Sequence, residues 1–176
     1  MINFDPDIVE QCRTGNRMAQ MLLYKTFYKR IYNTCYRILR DSSDAEDVMQ
    51  DSFLKALTGL DKYDGSTPFE AWLVRIAINS SIDKLRRKSL DYVSLDENIG
   101  YNIIDKDEND EWEHIKDRVA EVKAAIEKLP ESSRLIINLY LIEGYDHEEI
   151  AEILNIAPGT SRIQYMRAKQ KLIALM

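Results

Sequence analysis

The stretch "HEEIAEILNIAPGTSRIQYMRAKQKL", residues 147–172, decides how this chain folds. Asp146 stands just before it and Glu149 follows three residues later, the spacing of a capping box. Ile150, Ala151, Ile153 and Leu154 then share the inner face of a short helix. Asn155 is a residue type that tolerates the left-handed backbone of a sharp turn, and Pro158 suits the first position of a second helix. On that second helix Ser161, Tyr165, Ala168 and Leu172 fall on the core stripe. Ile163, Met166, Arg167 and Gln170 face the opposite way, flanked by Thr160, Arg162 and Lys171. Small Ala151 lets the two helices approach closely. This is helix-turn-helix grammar, with the second helix built for a DNA major groove. A helix hairpin that binds nothing is the alternative. Two features count against it. No acid follows Glu152, and Ile163 and Met166 point outward beside Arg167, where apolar groups suit contact with a thymine methyl.

A basic terminal helix sits oddly in an acidic chain. The 176 residues carry Lys+Arg 24 against Asp+Glu 30, a formal net charge of -6. That balance excludes a general nucleic-acid coat. It does not exclude a local basic face, because screening confines each field to roughly 10 Å. Hydrophobic residues make up 45%, enough for a core, while Gly (6) and Pro (4) are scarce, which fits helices. No apolar run approaches the roughly 20 residues of a membrane helix, and "MINFDPDIVEQC" is not the pattern of a signal peptide. Cys12 and Cys35 have no metal-ligand or redox spacing and read as reduced thiols in the core of a cytoplasmic protein.

Upstream, the chain reads as further helices, with no repeats and no strand alternation. One helical stretch runs from about Ile8 to Leu39, broken near Thr14-Gly15-Asn16. Ser42 or Ser43 can cap the next helix, which Gly59 ends. On it Ala45, Val48, Met49, Ser52, Phe53 and Ala56 point inward, while Asp44, Asp47, Asp51 and Leu54 form an outer stripe with Glu46 and Gln50 nearby. That stripe is either a solvated acidic face or a docking patch for a basic partner. Thr67 can cap a further helix with Pro68 at its first position. This helix is apolar nearly all round from Phe69 to Ile78, which makes Trp72 a core residue. Arg75, Asn79, Ile82 and Arg86 form a polar-edged stripe, and Lys84, Arg86, Arg87 and Lys88 make its end basic. The basic end either complements the helix dipole or faces nucleic acid, with Tyr63 in the preceding loop available to stack on a base. Acids crowd the span from about Ser89 to Glu113, a flexible linker. Helical pattern resumes with "IKDRVAEVKAAIEKL", and Pro130 starts a helix that Gly144 stops. The fold class is therefore all-α: two small helical domains joined by a flexible acidic linker, the C-terminal one carrying the helix-turn-helix.

Three segments in order carry a family likeness: "DAEDVMQDSFLKAL", "GSTPFEAWLVRIAINSSIDKLRRK" and, after the acidic linker, "LPESSRLIINLYLIEGYDHEEIAEILNIAPGTSRIQYMRAKQKL". Together they resemble an extracytoplasmic-function (ECF) sigma factor of bacterial RNA polymerase. The resemblance implies a sigma-2 domain over 1–90, a linker over 91–113 and a sigma-4 domain over 114–176. It implies that Asp44, Glu46, Asp47, Gln50, Asp51 and Leu54 dock the β′ coiled coil of the polymerase core. Gly59, Tyr63, Arg75, Asn79, Asp83 and Arg86 would recognise and open the −10 element. Thr160, Arg162, Ile163, Gln164 and Arg167 would read the −35 element, with Lys169 and Lys171 near phosphates. Many members carry a small polar residue where Ile163 stands and an arginine where Gln164 stands, and Ser161 replaces a frequent apolar residue. Sigma-4 would also touch the β flap, and an anti-sigma factor is a candidate further partner. No cofactor, metal, small-molecule substrate or membrane insertion is implied.

Two other readings compete. A helix-turn-helix regulator acting without polymerase would bind promoter DNA tightly as the isolated chain. An enzyme has little to stand on: "HEEIA" puts Ala151 where a zinc-binding H-E-x-x-H needs its second histidine, and no nucleophile–base set or phosphate loop is visible.

Overall fold

The computed structural model describes residues 6–91 and 111–176, with side chains at 7–88 and 118–176. Every regular element among them is helical, and the chain divides after Val93 into two compact units. The acidic span from Tyr92 to Asp110 lies outside the described residues.

The first unit holds α1 (Pro6–Arg13), α2 (Arg17–Leu39), α3 (Ser42–Thr58), a 3-10 turn (Leu60–Lys62) and α4 (Phe69–Asp91). The break after α1 falls where expected: Gly15 takes φ +79, and the Asn16 side chain accepts from the backbone N–H groups of Met18 and Ala19. Arg40 then takes the left-handed conformation at the end of α2. The cap of α3 lies one residue earlier than the sequence suggested. Asp41, not Ser42 or Ser43, is extended and accepts from Asp44 N–H at 2.8 Å. A carboxylate at this end gains from the helix dipole, which a serine does not. Similarly, α4 starts at Phe69, because Pro68 offers the first helical carbonyl, to Trp72 N–H at 3.2 Å.

Helices α2, α3 and α4 pack on one another around Leu23, Phe27, Ile31, Cys35, Ile38, Val48, Phe53, Leu73, Ala77 and Ile78, all buried. Each large apolar side chain so buried contributes roughly 1.5–3 kcal/mol. The α1 helix is pinned by Arg13, whose guanidinium donates to the carbonyls of Leu60 (3.1 Å) and Tyr63 (2.6 Å). Cys12 and Cys35 are buried and unbonded to each other, and burial pushes the Cys12 thiol pKa up.

The second unit holds α5 (Glu111–Glu127), α6 (Glu131–Ile137), α7 (His147–Leu154) and α8 (Pro158–Ala174). Helix α5 thus takes in Glu111, Trp112 and Glu113, which the sequence reading placed in the linker. The helix expected to run from Pro130 to Gly144 changes pitch at Asn138, where a π-helical segment (Asn138–Ile142) begins. Its wide turn is closed by Glu143 N–H donating to Asn138 C=O at 2.9 Å. Gly144 at φ +80 then reverses the chain. The unit's core is Leu129, Ile136, Ile137, Leu139, Ile150, Ala168 and Leu172.

Candidate functional site

The helix-turn-helix is α7, a tight turn and α8. Asp146 accepts from Glu149 N–H at 2.8 Å, and the Glu149 carboxylate accepts from Asp146 N–H at 2.9 Å, so both halves of the capping box form. Asn155 adopts φ 56, ψ 52, and Pro158 is the first residue of α8. Ser161, Ala168 and Leu172 are buried against the unit, and Tyr165 is half-buried. Thr160, Arg162, Ile163, Gln164, Arg167, Lys169 and Lys171 are all exposed. Ile163 at 53% and Met166 at 61% exposure are large apolar groups left open to water on this basic face.

Three features of this motif have no signal in the sequence. The His147 Nδ1 lies 3.0 Å from the Oγ of Ser161, joining the start of α7 to the first turn of α8. The His147 ring stacks on Tyr140 at 4.8 Å between centroids, and Tyr165 packs on Tyr140 at 4.3 Å. In addition, Arg162 on α8 is ion-paired with Glu148 on α7 across the exposed edge of the motif.

In the first unit, Glu46, Asp47, Gln50, Asp51 and Leu54 are exposed along α3, and Leu54 is 63% exposed. Asp51 pairs with Lys55 one turn on, at 2.7 Å. Asp44 does not share this exposure, which corrects its place in the outer stripe. Its side chain is only 13% exposed, and its carboxylate bridges Lys84 (3.2 Å) and Lys88 of α4. The reason is positional: Asp44 lies at the margin of the buried face of α3, within reach of the α4 lysines. Hydrogen bonding from Lys88 holds its pKa below the usual carboxylate range against the opposing effect of burial, with Lys84 adding to it.

The same contact corrects the reading of α4. Ile82 is buried and drops out of the polar-edged stripe, and of the basic end Lys84 and Lys88 pair with Asp44 of α3. Asn79, Asp83 and Arg86 are exposed, with Arg86 3.9 Å from Asp83, and Arg75 is half-buried. Trp72 is half-buried rather than core. It joins Tyr63 (5.3 Å) and Phe69 (5.6 Å) in an aromatic cluster at the start of α4. The Tyr63 hydroxyl donates to Thr67 C=O at 2.7 Å, so the ring is held in the loop with part of its surface open. Burial raises the Tyr63 pKa, with Asp64 adding to the rise and Arg13 opposing it. Gly59 has a packing reason: a Cβ there would stand 2.9 Å from the Lys55 carbonyl.

Among the described residues no helix is long and apolar enough to cross a membrane. Comparison with known proteins assigns both units. Residues 23–90 match the family described as Sigma-70 region 2, and residues 120–172 match Sigma-70, region 4. The chain is 31% identical over 172 residues to the ECF RNA polymerase sigma factor SigW of Bacillus subtilis, covering 93% of this chain and 92% of the relative. It is 30% identical over 176 residues to the RNA polymerase sigma-H factor of Pseudomonas aeruginosa, covering 96% and 91%. Among solved structures it resembles CnrH in complex with the cytosolic domain of CnrY, with 26% identity, TM-score 0.57 and coverage of 96% and 94%. The sigma factor RpoE of Bartonella quintana, in complex with the anti-sigma factor NepR, shares the fold at 22% identity and TM-score 0.59, over 88% and 94% of the chains.

Proposed function

The chain belongs to the extracytoplasmic-function family of RNA polymerase sigma factors, and from that premise we propose how its residues divide the work of transcription initiation. The observation that carries the reading is the pairing of two unlike surfaces on two sigma-70 units. One is an acidic stripe with an exposed leucine on α3; the other is an acid-free basic face on α8.

The first surface docks polymerase core. Glu46, Asp47, Gln50 and Asp51 offer negative charge to the β′ coiled coil, and Leu54 offers an apolar anchor. Asp44 is left out of this set because its carboxylate is held by lysines of its own unit. The −10 element meets the loop after α3 and the open edge of α4. Tyr63 presents a ring for an unstacked base, fixed from behind by Trp72 and Phe69. Asn79, Arg75, Asp83 and Arg86 supply polar contacts along that edge. Gly59 serves by ending α3 cleanly.

The −35 element meets α8. Arg162, Arg167, Lys169 and Lys171 neutralise phosphates and position the helix, while Thr160, Ile163 and Gln164 touch base edges. Each good base contact discriminates by roughly 1–3 kcal/mol. Ile163 favours a thymine methyl. The β flap is a second polymerase contact for this unit. The domain limits proposed with this division are 1–91 and 111–176, set by the end of α4 and the start of α5. The chain works without chemistry of its own, supplying sequence specificity to the polymerase in the cytoplasm. An anti-sigma protein is proposed as its regulator, in keeping with the complexes in which the two structural relatives were determined.

Affinity for purified bacterial core polymerase tests the division. Asp47→Arg should weaken core binding at least tenfold, as expected for losing about 1.4 kcal/mol or more by charge reversal at the interface. Full retention of core affinity by this variant would remove α3 from the interface.

A further inference from the structure

We infer that Asp44 is a positioning residue for promoter opening: with Lys84 and Lys88 it fixes the C-terminal half of α4 against the docking helix α3, keeping the −10-facing side chains in place. This inference rests on the proposed division of surfaces. Lys84 and Lys88 are one helical turn apart on α4. At 100° per residue they lie about half a turn round from the stripe of Arg75, Asn79 and Arg86. The two cations are therefore the rear of the promoter helix, and Asp44 is what they meet.

The arrangement links two surfaces with different jobs. Asp44 sits in the first turn of α3, on the helix that carries Asp47, Asp51 and Leu54. Its own backbone N–H is held by Asp41 at 2.8 Å, so the carboxylate is anchored at a capped helix start rather than on a mobile tip. A second tie lies further along the same pair of helices, where Lys55 Nζ donates to Ser80 Oγ at 3.0 Å. Helices α3 and α4 also pack on each other, and both bury apolar side chains, Val48, Met49 and Phe53 on one and Leu73, Ile78 and Ile82 on the other. The two-pronged ion pair adds a charged tie toward the C-terminal end of α4. Without the Asp44 charge, Lys84 and Lys88 become like charges one turn apart, which disfavours the helix locally. The docking stripe itself would be untouched.

The test uses the full chain with purified bacterial core polymerase and a promoter selected by the wild-type protein from a pooled library. Two quantities are read for each variant: affinity for core, and permanganate reactivity of −10 thymines as the measure of strand opening. For Asp44→Asn, core affinity should stay within roughly twofold, as for a site apart from the interface. Opening should fall about tenfold or more, the scale of a displaced contact geometry. The charge exchange Asp44→Lys with Lys84→Glu and Lys88→Glu should recover most of the opening, a rescue that loss of packing alone would not give. Equal losses in core affinity and opening would make Asp44 a docking residue and overturn the inference, as would normal opening in Asp44→Asn. Should Asp44→Asn not fold, Lys84→Gln with Lys88→Gln decides by the same two readouts. Wild-type protein that binds core but opens no promoter would overturn the proposed function first, and the role of Asp44 with it.

Discussion

His147 reaches from the first residue of α7 to Ser161 in the first turn of α8, Nδ1 to Oγ 3.0 Å, and its ring stacks on Tyr140. Ser161 is fully buried between Thr160, proposed to touch a base edge, and Arg162, proposed to meet a phosphate. The hydrogen bond thus fixes the part of α8 proposed to enter the groove. His147→Ala should cost about 1–3 kcal/mol, because it strands a buried hydroxyl, and the lost ring stacking adds roughly 0.5–1.5 kcal/mol. Ser161→Ala should cost less, about 1 kcal/mol, because half-buried His147 can turn to water. Denaturant unfolding of the full chain followed by tyrosine fluorescence ranks the two; equal costs would mean that the hydrogen bond carries little.

The Arg162–Glu148 pair joins two exposed side chains, so its contribution to stability is about 0–1 kcal/mol. Its larger effect is expected on DNA binding, through the phosphate contact proposed for Arg162. Glu148→Gln should leave the melting temperature nearly unchanged and strengthen binding of the holoenzyme to a −35 duplex. The salt dependence should steepen by up to about 0.9 in log–log slope, the value for one added phosphate contact. Fluorescence anisotropy over a salt series measures both.

The motif rests on two local devices, a capping box at the start of α7 and a left-handed residue in its turn. Asp146→Ala removes one half of the capping box and should destabilise by about 0.5–2 kcal/mol. Asn155 holds φ 56, a conformation that disfavours β-branched side chains. Asn155→Val should therefore cost about 1–2 kcal/mol, while Asn155→Gly should be close to neutral. Thermal melts of the variants decide, and a stable Asn155→Val would show that the turn is not held in this form.

Asp44 makes stability depend on pH. Its pKa is lower in the folded chain than in the unfolded one, so its ion pairs stabilise fully above the unfolded value of about 3.9. That contribution is lost as pH falls through the lower folded value. The stability difference between wild type and Asp44→Asn should be present at pH 7 and shrink as the pH drops below about 4. Urea unfolding across that range measures it; a difference that persists in acid would exclude the charge as its source.

Much of this was legible in the sequence because it is local. The capping box, the left-handed Asn155, Pro158 and the faces of α3 and α8 follow from residue type and helical period. Contacts distant in sequence were not. The side on which Asp44 meets Lys84 and Lys88 depends on how α3 and α4 pack, whereas the period of α3 alone puts Asp44 in the outer stripe and the sequence of α4 shows only that its end is basic. Trp72 belongs to an aromatic cluster closed by Tyr63 from the preceding loop, which periodicity within α4 cannot register. The π-helical segment from Asn138 to Ile142 has no marker of composition, and its apolar pattern still reads as ordinary helix.

Run-off transcription tests the central claim most directly: purified bacterial core polymerase, this chain, and a pooled promoter library, with Asp47→Arg alongside. Expected is specific initiation from a discrete set of library members with the wild-type chain, and its loss with Asp47→Arg. Failure of the wild-type chain to stimulate any specific initiation, or tight promoter binding by the chain alone with Asp47→Arg as active as wild type, would contradict it.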